Sequence, residues 1–143
     1  MTVASILNEK GREVTTEQPA TPLREICAIL CARRIGAIVI TGDKDAIVGI
    51  ISERDVVRAV SQDGVEALDK PVSAYMTKNV ETCDGQETVN SVMARMTGGR
   101  FRHVPVVQDG KLAGLVSIGD VVKHRIAQIE REAEEMRNYI AMT

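Results

Sequence analysis

Aromatic side chains are almost missing from this chain of 143 residues. They make up 2% of it and include no Trp, so the chain lacks the stacking platform with which proteins bind single-stranded nucleic acid. The net charge of −2 also provides no positive field that would attract a phosphate backbone. Together these two absences exclude nucleic acid as an expected partner.

Long apolar runs are missing as well, so no segment is expected to cross a bilayer. The first residues, MTVASILNEKGREV, lack the charged and then apolar pattern of a secretory signal, and we expect a cytoplasmic protein with no membrane partner.

The chain has three cysteines, Cys27, Cys31 and Cys83. This odd number argues against a disulfide framework. Their spacing does not suit a metal site, and we expect them to be small apolar core residues.

What the chain does contain is an internal repeat. The sequence Gly-Ile-Ile-Ser-Glu-Arg-Asp-Val-Val begins at Gly49, and Gly-Leu-Val-Ser-Ile-Gly-Asp-Val-Val begins 65 positions later at Gly114. Upstream of these motifs, residues such as Val14 and Val80 match at an offset of 66. The change of one residue falls in the stretches TGDKD and VQDG, which are rich in turn residues, and a hairpin turn tolerates such a change.

Each repeat predicts the order β-α-β-β-α. A short extended segment precedes a helix with apolar residues at helical spacing, and two apolar strands then lead to a helix that opens after a Ser. We expect a first repeat at 8–62, a linker at 63–76, a second repeat at 77–127 and a helical extension at 128–143. Because one small repeat buries little surface alone, we predict an α+β fold with the repeats packed sheet to sheet about a pseudo-twofold axis.

A Ser-x-x-Asp pattern stands at the strand-to-helix junction of both repeats, as Ser52 with Asp55 and as Ser117 with Asp120. One interpretation is structural, because Ser caps a helix and a first-turn Asp stabilises its positive end. The other is functional, because the free N–H groups of a helix N-terminus bind phosphate and a carboxylate accepts hydrogen bonds from a ribose diol. Both stay open, since duplicated helices also duplicate their caps.

Basic residues lie near these junctions in the sequence. Arg54 is inside the first pattern, and solvated surface charge explains it equally well. Arg102 and His103 flank an apolar strand and precede Pro105, a residue that is tolerated at a strand start. We interpret this second pair as site residues.

These motifs together resemble a tandem CBS-domain pair, also called a Bateman module. The resemblance covers about residues 8–127, and it depends on the motifs at 49–57, 71–77, 102–107 and 114–122. It implies a stand-alone regulatory protein that binds an adenine nucleotide or a related ligand (AMP, ADP, ATP, NAD or S-adenosylmethionine) in clefts between the repeats. It also implies a flat, disc-like homodimer and a signal to an unknown partner through a change in conformation or assembly.

The resemblance further implies roles for particular residues. Two aspartates would bind ribose hydroxyls and two serines would lie beside ribose or phosphate, namely Asp55, Asp120, Ser52 and Ser117. The candidates for phosphate binding are Arg54, Arg102 and His103. The two base pockets would be lined by Val14, Gly36, Ala37 and Ile38 in one cleft, and by Val80, His103, Val104 and Pro105 in the other. Because the first repeat lacks the basic pair of the second, the two clefts need not bind the same ligand.

No enzyme is predicted, because the sequence contains no Walker-type motif, no nucleophile paired with a His and no metal-ligand cluster. His124 is expected to be exposed on the last helix. The alternative function is a homodimerisation or protein-interaction module with degenerate clefts. It rests on apolar residues at helical spacing near the C-terminus, which are Val121, Val122, Ile126, Ile129, Ala133, Met136 and Ile140. Packing of this helix on its own domain and contact with a second copy are both open.

Overall fold

The computed structural model describes residues 1–142, and within them five α-helices and five strands follow one another. The helices are α1 (Val3–Lys10), α2 (Leu23–Arg33), α3 (Glu53–Asp63), α4 (Val89–Gly99) and α5 (Ile118–Met142). The strands are β1 (Thr16–Glu17), β2 (Ala37–Thr41), β3 (Ile47–Ser52), β4 (His103–Gln108) and β5 (Lys111–Ser117). None of the described helices combines the length and the apolar character that crossing a bilayer requires.

The α+β prediction is confirmed. The first repeat forms a sheet in the order β1-β2-β3, with β1 parallel and β3 antiparallel to β2. In the second repeat β4 pairs with β5, and the extended segment before α4 is reduced to one parallel bridge between Cys83 and Val106. Asp109 and Gly110 connect β4 to β5 with φ angles of 52° and 76°, the left-handed pair that suits a two-residue hairpin.

The described residues form two compact units, each with its own apolar core. The first unit consists of residues 13–81 and 109–113; the second consists of residues 1–12, 82–108 and the chain from Gly114 onward. The first core contains Leu23, Ile26, Leu30, Ile38, Ile40, Ile51, Ala59, Ala67 and Val72. The second contains Val3, Ile6, Leu7, Cys83, Val89, Val92, Met96, Val104, Val106, Val116 and Val121.

Helix α1 precedes the first repeat in sequence but packs in the second unit. Val3, Ile6 and Leu7 have the spacing of one helix face, and all three are buried in the second core. Gly11, with φ at 105°, ends the helix, and its N–H donates to the Leu7 carbonyl at 2.7 Å. The first repeat was predicted to begin at residue 8, with no helix ahead of it, and in space residues 8–12 pack with the second unit.

The segment ahead of the second repeat is exchanged in the same way, since residues 70–77 belong to the first unit. There the Val72 N–H donates to the Thr21 carbonyl at 2.8 Å, and in the second unit the Val3 N–H donates to the Glu87 carbonyl at 2.9 Å. Thr21 and Glu87 occupy equivalent places, two residues before the first residue of α2 and of α4. Each repeat is therefore completed by the segment that precedes the other.

The glycine that begins each repeated motif makes this exchange possible. A Cβ at Gly49 would lie 2.5 Å from Met76 Sδ, and a Cβ at Gly114 would lie 2.6 Å from Leu7 Cδ2. Both distances are shorter than atoms in contact can adopt, so a side chain at Gly49 or Gly114 would force Met76 or Leu7 to move. The repeated glycine is explained by this close approach to the strand.

The three cysteines occupy different environments, and the prediction that all are core residues is only partly right. Cys83 is buried, and burial together with the Glu87 carboxylate raises the pKa of its thiol to about 11. Cys27 is half-buried, and its pKa is raised by burial and by the neighbouring Cys31. The prediction is wrong for Cys31, which is exposed, because the buried face of α2 is narrow and consists of Leu23, Ile26 and Leu30.

Candidate functional site

The strand-to-helix junction of the first repeat is a capping box. Ser52 is the N-cap of α3, and its Oγ accepts a hydrogen bond from the Asp55 backbone N–H at 3.3 Å. In return Asp55 Oδ2 accepts from the Ser52 backbone N–H at 3.0 Å. This reciprocal pair satisfies two backbone donors that would otherwise lack a partner. The structural interpretation of the first Ser-x-x-Asp pattern is therefore confirmed.

The junction of the second repeat has the same geometry. The Ser117 N–H donates to Asp120 Oδ2 at 2.9 Å, and the Asp120 N–H donates to Ser117 Oγ at 3.2 Å. Helix α5 consequently begins at Ile118, one residue before the predicted start. In both repeats the cap uses only one carboxylate oxygen of the aspartate, so the second oxygen could accept a hydrogen bond from another group.

In the first unit the second oxygen of Asp55 has only long contacts. The Asp55 side chain is 9% exposed, and its Oδ1 lies 3.5 Å from Arg58 Nη1 and 3.5 Å from Thr77 Oγ1. Thr77 comes from the exchanged segment, whose backbone pairs with Ile50 of β3. The carboxylate is thus held in place by its cap while one oxygen remains weakly engaged.

In the second unit Asp120 is held by a lysine that the sequence analysis did not single out. Lys10 Nζ, at the end of α1, lies 2.5 Å from Asp120 Oδ2 and also donates to the Leu115 carbonyl at 2.8 Å. Burial alone would raise the pKa of Asp120, but the hydrogen bonds from Lys10 and Ser117 outweigh it and lower that pKa below its ordinary value. Lys10 is 110 residues away in sequence, and only recognition of α1 could have pointed to it.

The other predicted residues of the first repeat lie around the α3 N-terminus. The Glu53 N–H donates to the Gly36 carbonyl at 3.1 Å, and Ala37 pairs with Ser52 in the β2–β3 register. Val39 N–H donates to the Thr15 carbonyl, so the chain next to Val14 runs alongside β2. Ala37 and Ile38 are buried, whereas Arg54 is exposed on the first turn of α3.

The second unit repeats this arrangement at the start of α5. The Ile118 N–H donates to the Arg102 carbonyl at 2.8 Å, which is the equivalent of the bond between Glu53 and Gly36. Arg102 is exposed and His103 is half-buried, while Val104 and Pro105 are buried in β4. The remaining predicted residue, Val80, is half-buried and lies in the first unit.

The prediction that His124 is exposed is wrong, because α1 covers this side of α5. His124 is 7% exposed, and its Nδ1 lies 3.0 Å from the Asp120 carbonyl oxygen. Its Nε2 lies 2.8 Å from Glu9 Oε2 on α1, without the alignment of a hydrogen bond. The exposed position was predicted because the sequence was not expected to form α1, the helix that covers His124.

Two open cavities of the second unit lie away from the residues that the sequence predicted. One of about 640 Å³ is lined by Thr82, Cys83, Asp84, Gln86, Glu87 and Val107. The other, of about 620 Å³, is lined by Met1, Ser5, Glu9, His124, Ala127, Glu130, Arg131 and Glu134. Within residues 1–142, no three His, Cys, Asp or Glu side chains are grouped as a metal ion would require. The candidate site therefore consists of the two junctions.

Solved structures with this architecture come from several organisms. A CBS-domain protein of Agrobacterium tumefaciens, ATU1752, is 47% identical, covers 87% of this chain and 99% of its own, and has a TM-score of 0.85. The CBS-domain pair of protein MJ0100, solved with 5-methylthioadenosine and S-adenosyl-L-methionine, is 26% identical over 90% of this chain and 98% of its own, with a TM-score of 0.79. The protein PAE2072 of Pyrobaculum aerophilum, solved with AMP, is 28% identical over 84% of this chain and 89% of its own, with a TM-score of 0.73.

Sequence relatives and a family model agree with this likeness. The CBS domain-containing protein CBSCBSPB1 of Arabidopsis thaliana is 30% identical over 84% of this chain. This chain spans only 22% of the length of that relative. The model of the CBS domain matches residues 4–62 and again residues 72–127. The chain therefore belongs to the CBS-domain family and carries two copies of the domain.

Proposed function

We propose that this chain is a non-catalytic regulatory module that binds an adenosine-containing ligand, such as AMP, ATP or NAD, at its strand-to-helix junctions. The observation that carries the proposal is the aspartate of each capping box, which is fixed by one carboxylate oxygen while the other oxygen is left for a ligand. The MJ0100 and PAE2072 structures, which hold methylthioadenosine, S-adenosylmethionine and AMP, support adenosine as the ligand class.

The physical chemistry of the junction suits a nucleotide. A helix N-terminus offers free N–H groups and a partial positive charge to a phosphate. Exposed Arg54 lies one residue before Asp55, so a cation for the phosphate and a carboxylate acceptor for the ribose diol both belong to the first turn of α3. Hydrogen bonds to a charged carboxylate are stronger than those to a neutral acceptor.

The two junctions should differ in affinity. Asp55 Oδ1 has only contacts of 3.5 Å, whereas Asp120 is already bonded to Lys10. At Asp55 a ribose diol would replace only the two long contacts of Oδ1, to Arg58 and Thr77. At Asp120 it would share the carboxylate with Lys10, whose close ammonium group on Oδ2 weakens the carboxylate as an acceptor. We therefore propose that the first junction binds adenosine ligands more tightly than the second.

Isothermal titration of the full chain with AMP and with 2′-deoxy-AMP tests this proposal. Asp55→Asn keeps an oxygen that can accept the cap bond from Ser52 but replaces the free carboxylate oxygen with an amide. We expect AMP affinity to fall about tenfold or more, because hydrogen bonds to charged groups contribute roughly 1.5–3 kcal/mol. The preference for AMP over 2′-deoxy-AMP should also disappear. Asp43→Asn, which removes a charge from an exposed turn of the same unit, is the matched control.

The proposal fails if isothermal titration of the wild-type chain with AMP, ATP, NAD and S-adenosylmethionine, each at millimolar concentration, gives no heat of binding. If binding occurs but Asp55→Asn and Asp120→Asn both keep the wild-type affinity, the assignment of the site to the junctions is wrong. Thermal melts of the variants without ligand separate loss of binding from loss of fold.

A second candidate function is an interaction module, and the exposed end of α5 favours it. Ile129, Met136 and Ile140 are between 48% and 63% exposed. Apolar side chains in a continuous exposed stripe usually mark a surface that contacts another molecule. This candidate does not exclude ligand binding, because the stripe and the junctions are different surfaces of the chain.

A further inference from the structure

His124 is a buried titratable side chain that takes no part in either capping box. It is 7% exposed and lies where α5 meets the last turn of α1, with the Glu9 carboxylate 2.8 Å from its Nε2. Nε2 is buried and has no hydrogen-bond partner. Because an unsatisfied polar atom in the interior is costly, the surroundings of Nε2 indicate what would complete it.

The backbone of α5 determines which nitrogen of the ring carries the hydrogen. His124 Nδ1 lies 3.0 Å from the carbonyl oxygen of Asp120. A carbonyl oxygen can only accept, so this contact requires the hydrogen on Nδ1. In the neutral ring Nε2 then carries a lone pair and faces the Glu9 carboxylate, which is also only an acceptor. Two acceptors at 2.8 Å repel each other, whereas a second ring proton turns the same contact into an attraction between imidazolium and carboxylate.

The other charged groups around His124 come from three helices and from the chain start. The cavity between α1 and α5 is lined by Glu9, Glu130, Glu134, Arg131 and the residue that carries the amino group, Met1. Lys10 of α1 is bonded to Asp120. Helix α4, which also packs against α5, carries one charged residue, Arg95, and this is paired with Glu87. The nearest counter-charge for a protonated ring is therefore Glu9.

We propose that His124 and Glu9 form a pH-sensitive latch, in which a proton on Nε2 fastens the last turn of α1 to α5 and its loss loosens that turn. Histidine is the side chain that ordinarily changes charge between about pH 5 and 8. Glu9 is 64% exposed, so its side chain is free to turn and align with an Nε2–H donor. Because Lys10 follows Glu9, the latch also affects how firmly Lys10 is held against Asp120. The proposal is independent of ligand binding at the junctions, so either can fail without the other.

Nitrogen NMR of the histidine rings in the full chain tests the tautomer. The chain has two histidines, and the signals that His124→Gln removes are those of His124. At pH 8 we expect the hydrogen on Nδ1 and a bare Nε2, and on lowering the pH we expect Nε2 to gain the proton. A neutral ring that carries its hydrogen on Nε2 overturns the proposal, because Glu9 would then have a donor without any further proton.

Amide hydrogen exchange at pH 5.5 and pH 7.5, divided by the intrinsic rate of each amide, measures how firmly α1 is docked. In the wild type we expect protection in the last turn of α1 to fall roughly threefold between these values, the size that a half-exposed ion pair gives. Glu9→Gln offers the neutral Nε2 an amide N–H donor, so its protection should stay constant. Glu130→Gln, at an exposed position of the same cavity, is the matched control and should keep the wild-type dependence.

Other ionic contacts of α1 do not account for such a change. The pKa of Asp120 is lowered by its hydrogen bonds from Lys10 and Ser117, so this carboxylate stays ionised throughout the range. Constant protection in the wild type overturns the proposal. A dependence on pH that persists in both Glu9→Gln and His124→Gln also overturns it, since another group, such as the amino group of Met1, would then be responsible. Circular dichroism at both pH values checks that each variant is folded.

Discussion

At the scale of single residues, the fold fixes one carboxylate oxygen of each of the two aspartates, and the ligand role that we propose for them uses the other oxygen. Asp55 and Asp120 each accept a backbone N–H from the capping serine with Oδ2. That bond fixes the rotamer of the carboxylate, so its other oxygen is positioned before any ligand arrives. Pre-positioned polar groups bind more tightly because less side-chain entropy is lost on binding.

The ion pair between Lys10 and Asp120 leads to a prediction about pH. The pKa of folded Asp120 is lowered from its ordinary value of 3.8, so the ionised carboxylate stabilises the fold above about pH 4, and this stabilisation is lost as the pH falls through the folded pKa. Because the pair is partly exposed, we expect Lys10→Met to reduce the free energy of unfolding by only about 0.5–1 kcal/mol at pH 7. The difference from wild type should shrink as the pH falls through the lowered pKa of folded Asp120.

Urea unfolding of wild type and Lys10→Met between pH 7 and pH 2 measures this difference. Lys111→Met removes a charge from an exposed lysine of β5 and serves as the control for net charge. A penalty for Lys10→Met that stays constant over the whole pH range would mean that the lysine stabilises the fold through its alkyl chain rather than through Asp120.

At the scale of secondary-structure elements, the close approach of α1 to β5 depends on Gly114. A Cβ there would lie 2.6 Å from Leu7 Cδ2, and we expect Gly114→Ala to reduce the free energy of unfolding by about 1–3 kcal/mol, as overpacking of a core usually does. In a Leu7→Ala background the added methyl has room, so the penalty should shrink or vanish.

Chemical denaturation of the four members of this double-mutant cycle gives the coupling energy. Gly98→Ala is the control, because nothing lies within 4 Å of a Cβ at Gly98 in α4, and alanine in a helix is favoured over glycine by up to about 1 kcal/mol. Additive losses for Gly114→Ala and Leu7→Ala would show that α1 is not seated on β5 as described.

At the scale of the whole molecule, the two spatial units do not coincide with the two consecutive repeats of the sequence. Residues 1–12 belong to the unit of the second repeat and residues 70–77 to the unit of the first. A variant in α1 should therefore weaken the second unit, although it lies ahead of the first repeat. We expect Ile6→Ala, which empties a fully buried position, to cost about 2–5 kcal/mol.

Amide hydrogen exchange locates this loss. Ile6→Ala should accelerate exchange in α4, β4 and β5 more than in β2 and β3. Ile26→Ala, an equally buried substitution in the first core, should show the opposite pattern. If Ile6→Ala instead opened β2 and β3 first, the division into these two units would be refuted.

Local chemistry explains why much of the fold could be predicted. The apolar runs in β2 and β4, the spacing of Leu23, Ile26 and Leu30, and the two Ser-x-x-Asp caps are signals carried by residues close together in sequence. Helix α1 also had such a signal, in the spacing of Val3, Ile6 and Leu7 before Gly11, and could have been recognised. Its place in the second unit could not, because the partner strand lies about 100 residues away.

The sequence by itself determined the duplication, the order of elements, the family and the capping aspartates, because these depend on spacing and on the hydrogen-bonding capacity of individual residues. Only the tertiary structure decided that Lys10 holds Asp120, that α1 buries His124, and that Gly49 and Gly114 make room for exchanged segments. Each of these depends on contacts between residues distant in the chain, which arise only when the cores form. The tertiary structure also decided which part of α5 is exposed. Val121 and His124 in its first turns are buried, whereas Ile129, Met136 and Ile140 are exposed.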